Sequence, residues 1–403
     1  MNQAANFRSY LLVTACYWAF TISDGALRML VLLHLHEQGQ TAWALALLLV
    51  PYEVAGVVTN LVGGFLGARF GLKLPLMSGL VLQAIACGLL AVDAAMLSIT
   101  YVMLTQVLSG VAKDLTKTSA KAYVRVLVPE DQSSALFRLV AIMTGSKNAM
   151  KGFGFFVGGA MLSWCGFAHT NLGLALLLIA SVGLTWLLVP RVAGRPAVRL
   201  RSVFQQDRIM LWLCVARAFL FGSRDAWFAV ALPLYLIANG WSSWQVGAFL
   251  AIWVIVYGIV QASVPSMMKS KDAKASVPHV LKFTGLLALP LLVTGGFVYA
   301  NVQPIFSLML GLCVYGGVFA VTSSMHSWLA VALHDDGRTA ERVGFYYSAN
   351  AVGRLSGTLV SGGLFALAPS PAIGLTHCLL ASAVAVALAC MGTVLLRREQ
   401  MCS

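Results

Sequence analysis

Twelve apolar runs, each of about 20 residues or more, the length a helix needs to cross the hydrocarbon core of a bilayer, follow one another with short polar breaks between them. They predict spans near 10–36, 41–67, 74–92, 97–124, 135–164, 171–190, 209–238, 243–268, 279–299, 303–330, 343–367 and 371–396. The breaks alternate in charge. Those around Glu37 to Gln40, Val92 to Ala94, Cys165 to Thr170, Asn239-Gly240, Ala300-Asn301 and Ala368 to Ser370 contain no Lys or Arg, whereas the N-terminus, the C-terminus and the other breaks hold eighteen. By the positive-inside rule, both termini are expected in the cytoplasm.

Composition agrees with a chain that lives in lipid. Of 403 residues, 59% are apolar and 10% charged, and the mean hydropathy is +0.84. The first run, from Tyr10, is too long for a cleaved signal and carries Asp24 and Arg28, so it is expected to remain as a span. A net charge of +13 in a soluble protein would suggest nucleic acid. Here the location of the charge argues for a bilayer and against a nucleic-acid partner. The eight cysteines are scattered, with no ligand-like spacing, and read as reduced, packed thiols. No metal, no cofactor and no catalytic residues are expected, because the intramembrane acids and His326 show no nucleophile–base or metal-ligand spacing.

The longest polar stretch divides the chain near its middle, predicting a six-helix bundle over 1–190, a cytoplasmic linker over 191–208 and a second six-helix bundle over 209–403. The halves align with one another. At an offset of 201, Phe20 meets Phe221, Asp24 meets Asp225, Gly39 meets Gly240, Trp43 meets Trp244 and Asn60 meets Gln261. At an offset of 202, Ser146-x-Asn148-Ala149 meets Ser348-x-Asn350-Ala351. The fold class expected is an all-α membrane protein of twelve transmembrane helices in two pseudo-symmetric halves, which resembles the major facilitator superfamily.

The chemistry lies in the charges inside the runs. Setting aside the eighteen on the cytoplasmic side, which include Arg138 and Lys282 in the first turn of a span, leaves nine of the 27 Lys and Arg residues deeper within spans, namely Arg28, Lys113, Lys117, Lys121, Lys147, Lys151, Arg217, Arg224 and Arg354, against the four acids Asp24, Glu53, Asp114 and Asp225. A charge at bilayer depth costs from about 3 kcal/mol upward, so such groups face a water-filled path or one another. Lys113, Lys117 and Lys121 recur at i, i+4, i+8 on one helix face, with Asp114 beside them. Lys121 lies near enough to the surface to snorkel. Some of these groups are expected to neutralise one another, Asp24 with Arg28 at i+4, Asp114 with Lys117 or Lys121, and Asp225 with Arg224 or a neighbour. The surplus of five cations predicts an anionic substrate carrying more than one negative charge. Arg28, Lys113, Lys117, Lys147, Lys151, Arg224 and Arg354 are the candidate ligands, with Asn148 and Asn350 as polar contacts. Asp24, Glu53, Asp114 and Asp225 are the candidate coupling or gating acids.

Gly63-Gly64-Phe65-Leu66-Gly67-Ala68-Arg69-Phe70-Gly71-Leu72-Lys73 resembles the loop signature of the major facilitator superfamily, with Ala68 where the signature has an acid. An arginine on each of spans one and seven, Arg28 and Arg224, resembles the organophosphate antiporters of that superfamily. Tyr17-Trp18-Ala19-Phe20, Ser23-Asp24-Gly25-Ala26-Leu27-Arg28, Gly110-Val111-Ala112-Lys113-Asp114-Leu115 and Thr144-Gly145-Ser146-Lys147-Asn148-Ala149-Met150-Lys151-Gly152 resemble the organoarsenical efflux permeases of bacterial arsenic-resistance operons, the ArsJ family. That resemblance implies an inner-membrane exporter of 1-arseno-3-phosphoglycerate that confers arsenate resistance. It also implies a glyceraldehyde-3-phosphate dehydrogenase as functional partner, and a monomer is expected. The alternative reading is an organophosphate:phosphate antiporter or another organic-anion carrier.

Overall fold

The computed structural model describes residues 3–92, 96–127, 133–190, 206–267, 273–333 and 339–402, and within these it describes backbone only at 3–6, 61, 63–70, 121–122, 124–127, 133–142, 144, 265–267, 273–275, 331–332, 339–341, 343 and 402. The expected linker over 191–205, the side chain of Lys121 and the side chains of Gly63 to Phe70 therefore lie outside the described residues. Fourteen α-helices carry the described chain: α1 (Gln3–Glu37), α2 (Ala42–Phe70), α3 (Lys73–Leu90), α4 (Ile99–Leu127), α5 (Ser133–Cys165), α6 (Phe167–Leu188), α7 (Arg208–Phe228), α8 (Ala231–Ala238), α9 (Ser243–Met267), α10 (Ala273–Leu286), α11 (Ala288–Tyr299), α12 (Pro304–Ala332), α13 (Thr339–Leu367) and α14 (Pro371–Cys402). Helix is the expected answer in lipid, since it satisfies every backbone polar group within its own segment.

Twelve spans arise from fourteen helices because two spans are broken. The sequence predicts continuous runs over 209–238 and 279–299, but the first divides into α7 and α8 and the second into α10 and α11. Proline is the cause in both. Pro233 and Pro290 lack an N–H, and each ring clashes with the carbonyl four residues earlier, at Ala229 and Leu286, where the two helices end. The first break is sealed from α13, whose Ser361 hydroxyl accepts hydrogen bonds from the backbone N–H of Val230 (3.3 Å) and Ala231 (3.0 Å).

Nine of the twelve spans are long and apolar enough to cross a membrane by length and composition among the described residues. The three outside that set, α4, α5 and α13, carry Lys113 and Lys117, Lys147 and Lys151, and Arg354. Where charge is absent, the helices turn apolar side chains outward. On α6, Leu172, Leu176, Ile179 and Leu187 are exposed, as suits a lipid-facing surface.

The repeat seen in the sequence is visible in the turns. Gly39 and Gly240 both take the left-handed conformation (φ 86° and 84°) that glycine adopts without a Cβ clash, ending α1 and α8. In both turns the next residue closes a wider loop, Gln40 N–H to the Leu35 carbonyl and Trp241 N–H to the Leu236 carbonyl. The helix crossings repeat too. A Cβ on Gly154 of α5 would lie 2.4 Å from the Ile22 carbonyl of α1, and one on Gly353 of α13 would lie 2.0 Å from the Ala218 carbonyl of α7.

The chain groups into two compact units, one of Met1–His34, Val58–Leu200 and Ser242–Gly258, the other of Leu35–Val57, Arg201–Trp241 and Ile259–Ser403. The units cut across consecutive halves by exchanging segments. The start of α2 belongs with the second unit, where Gly362 of α13 lets Ala42 and Ala46 come close, and the start of α9 belongs with the first, where Gly159 of α5 meets Ser243 and Gly247.

In the second unit, Asp207 caps α7 by accepting from the Met210 N–H (2.8 Å), and its other oxygen takes Arg342 Nη1 of α13 (2.5 Å). Asp207→Ala is expected to lower stability by at least the ~1 kcal/mol of a lost N-cap. A fall in the thermal unfolding midpoint, absent in Asp207→Asn if the cap alone matters, checks it.

Candidate functional site

Each unit carries its own set of buried charges. In the first, Asp24 on α1 is 5% exposed and meets Lys151 Nζ of α5 at 3.2 Å. This pair crosses between helices and goes beyond the same-helix partner, Arg28, that spacing predicted. Asp114 on α4 is fully buried and serves two lysines, Lys117, one turn along, and Lys113 at 3.8 Å. Lys117 also donates to Asn60 Oδ1 of α2 (2.8 Å), and Trp18 Nε1 donates to Ser146 Oγ (2.9 Å), tying α1 to α5. Arg28, Lys147 and Asn148 are half-buried on α1 and α5. Asn60 was not among the candidates from sequence, although its alignment with Gln261 marked it.

The second unit holds a chain of four charges. Arg354 on α13 sits between two acids, with Nη2 at 2.5 Å from Glu53 Oε1 of α2 and Nε at 3.2 Å from Asp225 Oδ2 of α7. Arg224 takes the other oxygen of Asp225 through Nε (2.7 Å) and Nη2 (2.6 Å), and lies over the Phe221 ring. Glu53 and Asp225 are 0% and 1% exposed, so the arginines supply the counter-charge that water does not. The acids aligned in the sequence, Asp24 and Asp225, thus each meet a cation from the fifth span of their own repeat.

Arg217 on α7 was counted among the intramembrane cations but not among the ligands. It is 3% exposed and donates to Asn350 Oδ1 of α13 (3.0 Å) and to the Ser323 carbonyl and hydroxyl of α12 (3.1 and 3.2 Å). Gln261 Nε2 of α9 reaches the same Ser323 hydroxyl (3.4 Å), so in both units an amide on the second span contacts the fourth.

The two sets differ in charge. Among the described side chains within its spans, the first unit holds five cations, Arg28, Lys113, Lys117, Lys147 and Lys151, against Asp24 and Asp114, a surplus of three that leaves Lys121 aside. The second holds Arg217, Arg224 and Arg354 against Glu53 and Asp225, a surplus of one. Lysine, with its mobile stem, dominates the unit with the larger surplus, and arginine the unit whose charges interlock.

No group of His, Cys, Asp and Glu among the described residues has the arrangement of a metal site. The seven described cysteines are thiols without disulfides, and Cys165 and Cys313 are exposed rather than packed as expected.

Repeated helical halves with buried charge at bilayer depth define a multi-pass membrane transporter. The family model of the Major Facilitator Superfamily matches residues 10–358. The chain belongs to that superfamily. Among solved structures it is similar to the nucleoside transporter NupG, with 14% identity, a TM-score of 0.70, and 97% of this chain and 99% of that one covered. It is also similar to a structure of a proton-dependent oligopeptide transporter (15% identity, TM-score 0.73, 98% and 99% covered). A third is a POT family transporter in complex with a thioalcohol-conjugated peptide (13% identity, TM-score 0.74, 98% and 97% covered). At these identities the likeness concerns the fold. No curated protein matches the sequence.

Proposed function

We propose that this transporter exports an organic polyanion from the cytoplasm across the bacterial inner membrane, and that its substrate is 1-arseno-3-phosphoglycerate, with arsenate resistance as the result. The surplus of three cations at membrane depth in the first unit carries the reading. Fixed positive charge in low dielectric is stabilised by an anion, and the phosphate and arsenate oxygens of the ester offer tetrahedral acceptors to mobile lysines and planar arginines. Arg28, Lys113, Lys117, Lys147, Lys151, Arg224 and Arg354 are the proposed ligands, with Asn148 and Asn350 adding neutral donors. Pentavalent arsenic bonded to oxygen needs no thiolate, consistent with cysteines that do not cluster. The resemblance of the motifs around Asp24, Lys113 and Lys147 to the organoarsenical efflux permeases supplies the particular ester. It also supplies the dehydrogenase that would make it. Both termini are proposed to be cytoplasmic, from the alternation of charge between spans.

No covalent step is required. Each net negative charge moved outward down an inside-negative potential releases about 2.3 kcal/mol per 100 mV, enough for uniport of a polyanion. Asp24, Glu53, Asp114 and Asp225 are the proposed coupling or gating acids. Everted membrane vesicles given arsenate, glyceraldehyde-3-phosphate, NAD and the dehydrogenase are expected to accumulate arsenic only when every component is present. Accumulation of phosphoglycerate with arsenic excluded would overturn the arsenical substrate. The same cations also fit a phosphorylated anion without arsenic, and trans-stimulation by inorganic phosphate would identify that exchanger.

A further inference from the structure

Arg217 is a buried cation with no carboxylate within ion-pair distance among the described residues. Its place lies nine residues into α7, about 13 Å along the helix axis. It is held by neutral acceptors, Asn350 Oδ1 and the carbonyl and hydroxyl of Ser323, and by two aromatic faces, Phe221 at 3.9 Å and Tyr346 at 4.9 Å. Guanidinium is a donor with no acceptor, so the Asn350 atom it meets must be the amide oxygen. The flip of that amide is thereby fixed. Its NH2 group points away from Arg217 and makes no hydrogen bond to a described residue, while the side chain stays half-buried rather than sealed.

We infer that Arg217 is a positioning residue that makes Asn350 a donor-only contact, one that takes an acceptor oxygen, such as that of an ionised phosphate, arsenate or carboxylate, and refuses a ligand group that can only donate. This rests on the anion-carrier reading above and sharpens it. An amide free to flip would serve donors and acceptors alike. One whose oxygen is occupied by a guanidinium offers a ligand N–H alone, and a donor-only group such as an ammonium meets donor against donor. Sites with fixed hydrogen-bond polarity reject mismatched analogues far more strongly than apolar pockets do. The first unit uses the same chemistry, where Lys117 donates to Asn60 Oδ1 and fixes that amide in the same sense.

The test is ligand binding to the purified full chain, read as thermal stabilisation by 3-phosphoglycerate, with glycerol as the neutral control. Asn350→Asp replaces the outward NH2 with an oxygen at constant shape and gives Arg217 a carboxylate, so the unliganded protein keeps or raises its unfolding midpoint. Its affinity for 3-phosphoglycerate is expected to fall about tenfold or more, the weight of one hydrogen bond to a charged group. Arg217→Gln, which frees the amide to flip, is expected to weaken the same affinity, and the double variant to lose little more than Asn350→Asp alone. If Asn350→Asp binds 3-phosphoglycerate as tightly as wild type, the inference is overturned and Arg217 is structural, while binding by wild type leaves the anion carrier standing. If wild type binds glycerol as well as the phosphate, or neither, the anion reading falls and the inference with it.

Discussion

Replacing Arg354 with glutamine is expected to cost about 3–5 kcal/mol of stability, the usual effect of removing one partner from a buried ion pair. Two acids meet this one side chain. Glu53 reaches it across 301 positions of sequence, and Asp225 shares it with Arg224. Without the guanidinium, Glu53 loses a counter-charge at 0% exposure, and the start of α2 loses an ionic tie to α13. The double substitution Glu53→Gln with Arg354→Gln removes the buried acid together with the cation. It is therefore expected to recover most of the lost unfolding midpoint, a coupling that a double-mutant cycle measures directly. Equal midpoints for Arg354→Gln and wild type would show that the pair contributes nothing.

Gly353→Val is expected to damage the fold comparably through packing alone. The first added carbon would stand 2.0 Å from the Ala218 carbonyl oxygen and 2.7 Å from its Cα, backbone atoms of α7 that can move only if the whole crossing opens. Gly357 is also tight, against the Gly222 carbonyl at 2.5 Å, so α13 has little freedom to slide. Overpacking of this kind costs about 1–3 kcal/mol or more. The widened crossing would also pull Arg354, the next residue, away from Asp225. Gly88→Ala supplies the contrast, because nothing lies within 4 Å of a Cβ there. It is expected to leave the unfolding midpoint unchanged or slightly raised, alanine being the better helix former. Thermal unfolding of the two variants side by side separates crowding from a general dislike of substitution in these helices.

Much of this protein was legible in its sequence. Twelve spans followed from apolar length, because the bilayer sets one scale for every crossing. The repeat followed from a few aligned positions, and Gly39 with Gly240 and Asp24 with Asp225 do occupy matching places. The charges that make up the candidate site were also visible, since an ionised side chain inside an apolar run stands out against its surroundings.

Partners were not legible, and the reason is geometric. Sequence shows only neighbours on one helix, so it found Asp114 with Lys117 at i+3 and Asp225 with Arg224 beside it in the chain. Which residues meet across helices depends on how each helix is rotated and how closely it approaches. Glycine crossings such as Gly25 against Gly154 decide that, and they bring Lys151 to Asp24, Arg354 to Glu53 and Arg217 to Asn350. The breaks in the seventh and ninth spans fall between these cases. Pro233 and Pro290 were there to be read, but apolar length alone continued the spans through them. A proline in lipid interrupts a helix where a neighbour can satisfy the freed backbone groups, and for the seventh span that neighbour is Ser361, brought near only by the fold.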